Sequence, residues 1–343
     1  MTAKGIVSET GRTRPTMTNY QGPSFQLVDT ITAEELASQG GFRPRPRPLL
    51  VKGAVKLWPA WEKWSFAKIA DLKHKDGSEV VTTFQNGLVE QGVTRPPVIQ
   101  PVAPYLHELE AASEKIRAEW GQDTGLCPDR QWKSLQPGEK FHLNWAHLQS
   151  FKPNRVYLAQ WDILKEFPEL RNDFAIRSLW KSWRWTWEYV FIGPSNTVTG
   201  LHFDFPNNWF CQVRGVKEFL LFPPENRPHM CESRKYDWGA TLSDINISKL
   251  DEQPREREAF AKANGLYARC EPGDALFVPK QTWHCVVALQ PSISLAVFGL
   301  TLPEIILGGG PSEFRSLLHK MHLYRWGNCT CHKMDGPPKT KAA

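Results

Sequence analysis

Apolar positions along the chain fall into two textures. Before about residue 150 they recur at helical spacing or in short β-branched runs. From Arg155 onward they form short runs cut by Gly, Pro and Asn. In the first part, Leu49-Leu-Val51 reads as a buried strand and Val80 to Phe84 as another. Ser65 is placed to cap a helix whose apolar face is Phe66, Ile69, Ala70 and Leu72. Leu106, Leu109, Ser113, Ile116 and Trp120 alternate steps of three and four, which predicts a helix with a core-facing stripe. Arg43-Pro-Arg-Pro-Arg-Pro48 predicts an extended arm.

The second part predicts strands at Val156-Tyr-Leu158, Trp185 to Ile192, Thr197 to Phe203, Trp209 to Val213 and Lys217 to Phe222. Three more follow at Ala275 to Val278, Cys285 to Leu289 and Ile293 to Phe298, after a polar, partly helical excursion from Glu225 to Asn264. Short strands with tight turns in this order predict a mainly β fold, a barrel or jelly roll with flanking helices. A last helix starts at Gly310-Pro311, with Phe314, Leu317, Leu318 and Met321 on one face. That stripe calls for cover, from the barrel or from a second copy in a homodimer.

These patterns divide the chain into a disordered 1–24, a catalytic-size domain at 25–300, and a helix with a Cys/His-containing tail at 301–343. Within the domain, an α/β part runs to about 150 and the jelly-roll core from about 155 to 300. The opening stretch lacks an apolar segment of signal-peptide type. No run of about 18 apolar residues predicts a membrane span. Seven scattered cysteines do not form a disulfide framework, so a soluble protein of a reducing intracellular compartment is expected, cytoplasm and nucleus undistinguished.

The formal net charge of +6 changes little once it is located. Residues 1–50 and 301–343 supply five of those charges, and residues 51–300 are nearly neutral. A nucleic-acid groove needs basic residues clustered on the folded body, so nucleic acid is not an expected partner. The unusual feature is fifteen tryptophans, concentrated at Trp58–Trp64 and Trp180–Trp187. Trp183, Trp185, Trp187 and Trp209 could wall a pocket from water, and plain core packing explains each as well.

The chemistry centres on His202-Phe-Asp204. Residues two apart on a strand share a face, so His202 and Asp204 can ligate one metal while Phe203 packs behind. His284, after Pro272-Gly-Asp274, the Ala275 to Val278 run and a short turn, is the candidate third ligand. Two histidines and one carboxylate leave the opposite face of a metal open, the arrangement of non-haem Fe(II) oxygenases. Lys217 lies in the apolar run Phe210 to Phe222, where an ammonium is costly to bury unless an anion meets it. A dicarboxylic cosubstrate would be that anion, with Thr199 as hydrogen-bond donor; a surface lysine beside the Arg214-Gly215 turn is the alternative.

The segment from Gly193 to Pro224 and the segment Glu271-Pro-Gly-Asp-Ala-Leu-Phe-Val-Pro-Lys-Gln-Thr-Trp-His284 resemble the two core motifs of the Jumonji-C, cupin-like oxygenases. The resemblance extends over about 25–300, through Pro48 to Asp71 and Tyr157 to Trp187, and is greatest to the hydroxylase branch that includes the asparaginyl hydroxylase of hypoxia-inducible factor. It implies a double-stranded β-helix, Fe(II) on His202, Asp204 and His284, and 2-oxoglutarate held by Lys217 and Thr199. It places Tyr157 and Asn208 beside the same cosubstrate. With O2, such an enzyme hydroxylates a C–H bond of a protein, peptide or small molecule and releases succinate and CO2. The chain departs from that hydroxylase on the last strand, where Ser294 is the only polar side chain in Ile293 to Phe298 and an asparagine is missing. An N-methyl-lysine demethylase of the same chemistry, a non-catalytic cupin scaffold and a metal-dependent isomerase remain as rivals. His319, His322, Cys329, Cys331 and His332 form a second cluster, read as an incidental tail rather than a zinc site because its spacing fits no standard module. His142 and His147 read as packing residues.

Overall fold

The computed structural model describes residues 20–86, 97–119, 126–127, 133–145, 156–179, 185–237, 239–306 and 310–329. Its strands in chain order begin with β1 (Ser24–Leu27), β2 (Asp29–Thr32), β3 (Leu49–Lys52), β4 (Val81–Asn86), β5 (Val98–Pro101), β6 (Phe141–His142), β7 (Val156–Trp161) and β8 (Trp185–Gly193). They continue with β9 (Val198–Asp204), β10 (Asn207–Arg214), β11 (Lys217–Phe222), β12 (Ala240–Leu242), β13 (Asn264–Cys270), β14 (Ala275–Val278), β15 (Trp283–Ala288) and β16 (Ser292–Leu300). One sheet has the order β12-β9-β15-β11-β13-β1-β6 and the other β2-β3-β14-β10-β16-β8-β7-β4-β5. The core pairings β10–β14, β10–β16, β11–β13, β11–β15 and β15–β9 are antiparallel. Two facing sheets of this kind are the jelly roll that the strand pattern predicted.

Every residue of β11, β14, β15 and β16 is buried. That is why these strands read as near-continuous apolar runs rather than alternations. Their inner faces pack a core between the sheets that includes Phe210, Phe219, Leu221, Val286, Ala296 and Phe298. Burying each such large side chain stabilises the fold by about 1.5–3 kcal/mol. A second core packs the first-half helices on the outside of the larger sheet, with Leu106 and Leu109 of the helix Val102–Glu119 buried as the stripe predicts. Ile116 and Trp120 lie outside the residues whose side chains are described. Ser65 Oγ accepts from Lys68 N at 3.2 Å and caps Phe66–Ala70 as expected. At the turn between β10 and β11, Gly215 has φ +72° and faces the Pro291 carbonyl so closely that a Cβ would meet it at 2.1 Å. Only glycine fits there.

Three elements differ from the sequence expectation. The excursion 225–264 contains β12, and β13 begins at its end. β13 is disguised by Arg269, which stays buried because its register partner on β11 is Glu218. On the last helix, Gly310–Lys320, the buried positions among the described side chains are Ser316 and His319, Leu318 is half-buried, and Phe314 and Leu317, with Met321 just after the helix, are exposed. His319 is drawn inward by stacking on Tyr236 at 4.1 Å and by a 2.7 Å hydrogen bond to the Tyr324 carbonyl. Of the cluster read as an incidental tail, Cys329 is buried and bridges to Tyr236. Cys331 and His332 lie outside the described residues, as do residues 1–19, His147 and Trp183. His142 is exposed rather than packed, its Nδ1 donating to the Gln21 carbonyl at 2.9 Å. No helix of the described residues is long and apolar enough to cross a membrane.

Candidate active site

β9, β15 and β11 lie side by side and point one row of side chains each between the sheets. His202 and Asp204 leave β9 on the same face, and His284 stands opposite His202 in register on β15. The ligand atoms of the three residues lie within 4.8 Å of one another. His202 Nε2 is 4.0 Å from Asp204 Oδ1, and His284 Nε2 is 3.6 Å from Asp204 Oδ2. Both imidazoles are oriented from behind. His202 Nδ1 bonds the Gly200 carbonyl at 2.7 Å and His284 Nδ1 the Thr282 carbonyl at 2.9 Å. A carbonyl only accepts, so Nδ1 carries the proton and each Nε2 lone pair is left for a metal. Burial, with the neighbouring His202, pushes the His284 pKa down to about 3, which keeps that ring neutral at physiological pH. Burial also raises the Asp204 carboxyl above its ordinary value, a charge that a cation at this point would stabilise. The donor set therefore fits a divalent metal with open coordination positions.

Thr199 sits three residues before His202, an odd spacing that would turn it to the other face of a regular strand. It nevertheless lines the same cavity. The register explains this: His284 pairs with His202 while Val286 pairs with Thr199, so β9 carries one extra residue in a bulge at Gly200–Leu201. The bulge also supplies the carbonyl that orients His202.

The cavity has a volume of about 200 Å3. Lys217 enters it from β11 and is only 3% exposed. Its Nζ donates to the Tyr157 hydroxyl at 3.3 Å and lies 5.0 Å from the Phe210 ring centre. Among the described residues no carboxylate pairs with it, and burial pushes its pKa down to about 7. The surface-lysine alternative is thereby removed. Asn208, on β10, lines the same cavity with its Oδ1 buried and without a hydrogen-bond partner. All seven residues singled out from the sequence, His202, Asp204, His284, Lys217, Thr199, Tyr157 and Asn208, line this one space.

The aromatic wall is not the tryptophan set. Trp209 is in the outer core against Phe42 at 4.7 Å, Trp185 is exposed, and Trp187 stacks on Phe298. The rings that line the cavity are Tyr157, Phe191, Phe210, Phe219 and Phe298. Ser294 is absent from the lining because it donates to Gln212 Oε1 at 2.9 Å; Ala296 faces the cavity instead. Gln85, Gln160 and Asp237 also line it and were missed from the sequence. They lie near the ends of β4 and β7 and on one loop, far apart in the chain, and no local pattern marks them.

The model of the cupin-like domain family matches residues 37–298. The chain is 24% identical over 263 residues to Jumonji C domain-containing protein 5 of Drosophila melanogaster, covering 73% of this chain and 54% of that protein. It is 23% identical over 289 residues to tRNA wybutosine-synthesizing protein 5 of Gallus gallus, covering 84% of this chain and 81% of that one. It is 29% identical over 208 residues to lysine-specific demethylase JMJ30 of Arabidopsis thaliana, covering 56% of this chain and 44% of that one. The chain thus spans about half the length of the Drosophila protein and less of the Arabidopsis one. The family match covers most of the chain and includes both strands of the His202, Asp204 and His284 site, so this protein belongs to the cupin-like, Jumonji-C type domain family.

Proposed function

We propose that the protein is an Fe(II)- and 2-oxoglutarate-dependent oxygenase that hydroxylates a C–H bond of a protein, peptide or small molecule. The observation that carries the reading is the pairing of an open His-Asp-His metal set with a buried, carboxylate-free lysine in one cavity. A metal cupin that isomerises or merely binds has no use for that lysine. In this reading His202, Asp204 and His284 hold iron, which supplies dioxygen activation when bound. Lys217 carries the proton that makes it the counter-ion of the distal carboxylate, while Thr199 and Tyr157 donate to the same group. Asn208, with its unmet Oδ1, faces the cosubstrate from the opposite sheet. The rings of Phe191, Phe210, Phe219 and Phe298 exclude water around it.

The relatives named as lysine-specific demethylases make N-methyl-lysine oxidation the second reading. Both readings predict succinate from 2-oxoglutarate in the presence of Fe(II) and O2. Formaldehyde release distinguishes demethylation from hydroxylation. Absence of any succinate from the iron-loaded full chain, with peptide and metabolite pools supplied, would remove both.

A further inference from the structure

The turn that brings His284 into the site joins β14 to β15 over residues 279–282. Gln281 in this turn has φ +61°, a left-handed conformation that a residue with a side chain keeps only where its surroundings hold it. Two contacts link the turn to the metal site. Gln281 N donates to the Asp204 carbonyl at 3.1 Å, and the Thr282 carbonyl accepts from His284 Nδ1 at 2.9 Å. Where the turn goes, the His284 ring follows.

The group that holds this turn lies beyond the last strand. After β16, Thr301 and Glu304 form a capping box around the short helix Leu302–Glu304. Glu304 Oε2 accepts from Thr301 N and Thr301 Oγ1, both at 2.8 Å, which leaves Oε1 to face the turn. Lys280 Nζ meets Oε1 at 2.7 Å, and Asn207 Nδ2 donates to it at 3.3 Å. Asn207 is buried three residues after Asp204, and its Oδ1 accepts from Lys280 N at 3.0 Å. Asn207, Lys280 and Glu304 thus join the start of β10, just after one ligand, to the turn just before another. Partial burial pushes the Glu304 carboxyl up, but the hydrogen bonds from Lys280 and Thr301 outweigh it and hold it below its ordinary value. The Lys280 side chain is 46% exposed, so its ion pair adds little to folding. Glu304 also lies past residues 37–298, so the family match does not imply a role for it.

Resting on the oxygenase reading above, we propose that Glu304 is a positioning residue of the metal centre. Through Lys280 and Asn207 it holds the 279–282 turn, and the turn aims His284 Nε2 at the metal.

Titration calorimetry of the full chain with Mn(II) alone, with differential scanning calorimetry beside it, tests this. Glu304→Ala removes both contacts to Oε1 and should weaken Mn(II) binding about tenfold, the lower end for outer partners of a metal ligand. Lys280→Met removes only the exposed ammonium and should weaken binding about threefold, with the melting temperature within about 2 °C of wild type. Lys280→Arg keeps the ion pair and should bind Mn(II) within about twofold of wild type. Lys280→Met combined with Glu304→Ala should bind no more weakly than Glu304→Ala alone, because the lysine acts only through that carboxylate. Wild-type affinity in Glu304→Ala would overturn the proposal. So would a loss in Lys280→Met that Lys280→Arg does not repair, or one that comes only with a lowered melting temperature. Failure of the oxygenase reading is seen separately, as absent succinate formation by a wild-type chain whose Mn(II) affinity still depends on Glu304.

Discussion

On the oxygenase reading, Lys217 sets function against stability, and replacing it by methionine exposes the conflict. The two side chains are similar in length, so the substitution leaves little cavity and removes one ammonium. Burial lowers the Lys217 pKa to about 7 from an ordinary 10.5. The unfolded chain then holds the proton more tightly than the folded one, so the lysine destabilises the fold. That penalty is complete below pH 7, shrinks as pH rises and disappears above 10.5. At about 1.36 kcal/mol per pKa unit, its upper bound is about 4 kcal/mol at pH 7 and about 2 kcal/mol at pH 9.

An unfolding entropy of about 2.1 cal/mol/K per residue makes 1 kcal/mol worth about 1.4 °C for a chain of 343 residues. Lys217→Met should therefore raise the melting temperature of the cofactor-free protein, by up to about 5 °C at pH 7, with the advantage roughly halved at pH 9. The same variant should lose a charge-assisted contact of about 1.5–3 kcal/mol to 2-oxoglutarate, weakening it about 10- to 150-fold. In the wild type, binding needs the protonated amine, so the KM for 2-oxoglutarate should climb about tenfold per pH unit above the pKa of about 7 that Lys217 has in the folded protein. Differential scanning calorimetry with and without 2-oxoglutarate, and titration calorimetry with Mn(II) as a redox-inert metal, read both effects. A variant that melts at or below the wild-type temperature at pH 7, or that binds 2-oxoglutarate equally well, refutes the reasoning.

Further outcomes follow for the ligand set, the Tyr157 ring and the C-terminal segment. His202→Ala, Asp204→Ala and His284→Ala should each abolish iron-dependent turnover with the fold retained, because all three project into an open cavity; full activity in any one removes that residue from the ligand set. Gly193→Ala would place a Cβ 2.3 Å from the Tyr157 ring and displace it, so the KM for 2-oxoglutarate should rise while kcat changes less; an unchanged KM would exclude Tyr157 from the cosubstrate site. A chain ended after Trp326 loses the three hydrogen bonds of Asn328, to Arg325, Arg234 and Tyr236, each worth about 0.5–1.5 kcal/mol, and should melt lower. Elemental analysis of the full chain should find no zinc beyond the iron site, and one zinc retained after His202→Ala with Asp204→Ala would restore the tail cluster as a metal centre.

What could be read from the chain follows the range of the interactions involved. His202 and Asp204 were legible because strand periodicity is local, and His284 because the strand and turn before it are. Lys217 was legible as a charge in an apolar run. Thr199 defied the period-two rule, since a bulge shifts the register without marking the composition beyond Gly200. Tyr157 and Asn208 were reached only through family resemblance, and their convergence depends on the far sheet. β13 was hidden because Arg269 and Tyr267 look exposed until Glu218 is placed across from them: Tyr267 Oη donates to Glu218 at 2.6 Å. The tryptophans left pocket wall and core packing both open, because bulk alone says nothing about which face of the sheet a ring takes: Trp209 is buried in the outer core and Trp185 is exposed.

The strand registers also act as a ruler for the cosubstrate. On β11 and β15, Leu221 pairs with His284 and Lys217 with Ala288, four residues further along. At about 3.4 Å per residue those rows stand about 13 Å apart along the strands. A lysine arm of about 6 Å, free to lean along the strand, narrows the gap to somewhere in the order of 7–13 Å. An extended five-carbon diacid spans about 7 Å between its outer oxygens. A salt contact of about 2.8 Å at one end and a metal–oxygen distance of about 2.1 Å at the other bring the total to about 12 Å. The lean itself is limited, because Nζ is held at 3.3 Å from the Tyr157 hydroxyl and walled by Phe210 and Phe219. Adding or removing one methylene changes the reach by about 1.3 Å, several times what a charged hydrogen bond tolerates. On the oxygenase reading, oxaloacetate and 2-oxoadipate should therefore each bind at least tenfold more weakly than 2-oxoglutarate to the Mn(II)-loaded chain. Lys217→Met should flatten that preference, because without the ammonium no fixed point remains to measure length against. Equal affinity for the three acids in the wild type would mean that Lys217 does not meet the distal carboxylate.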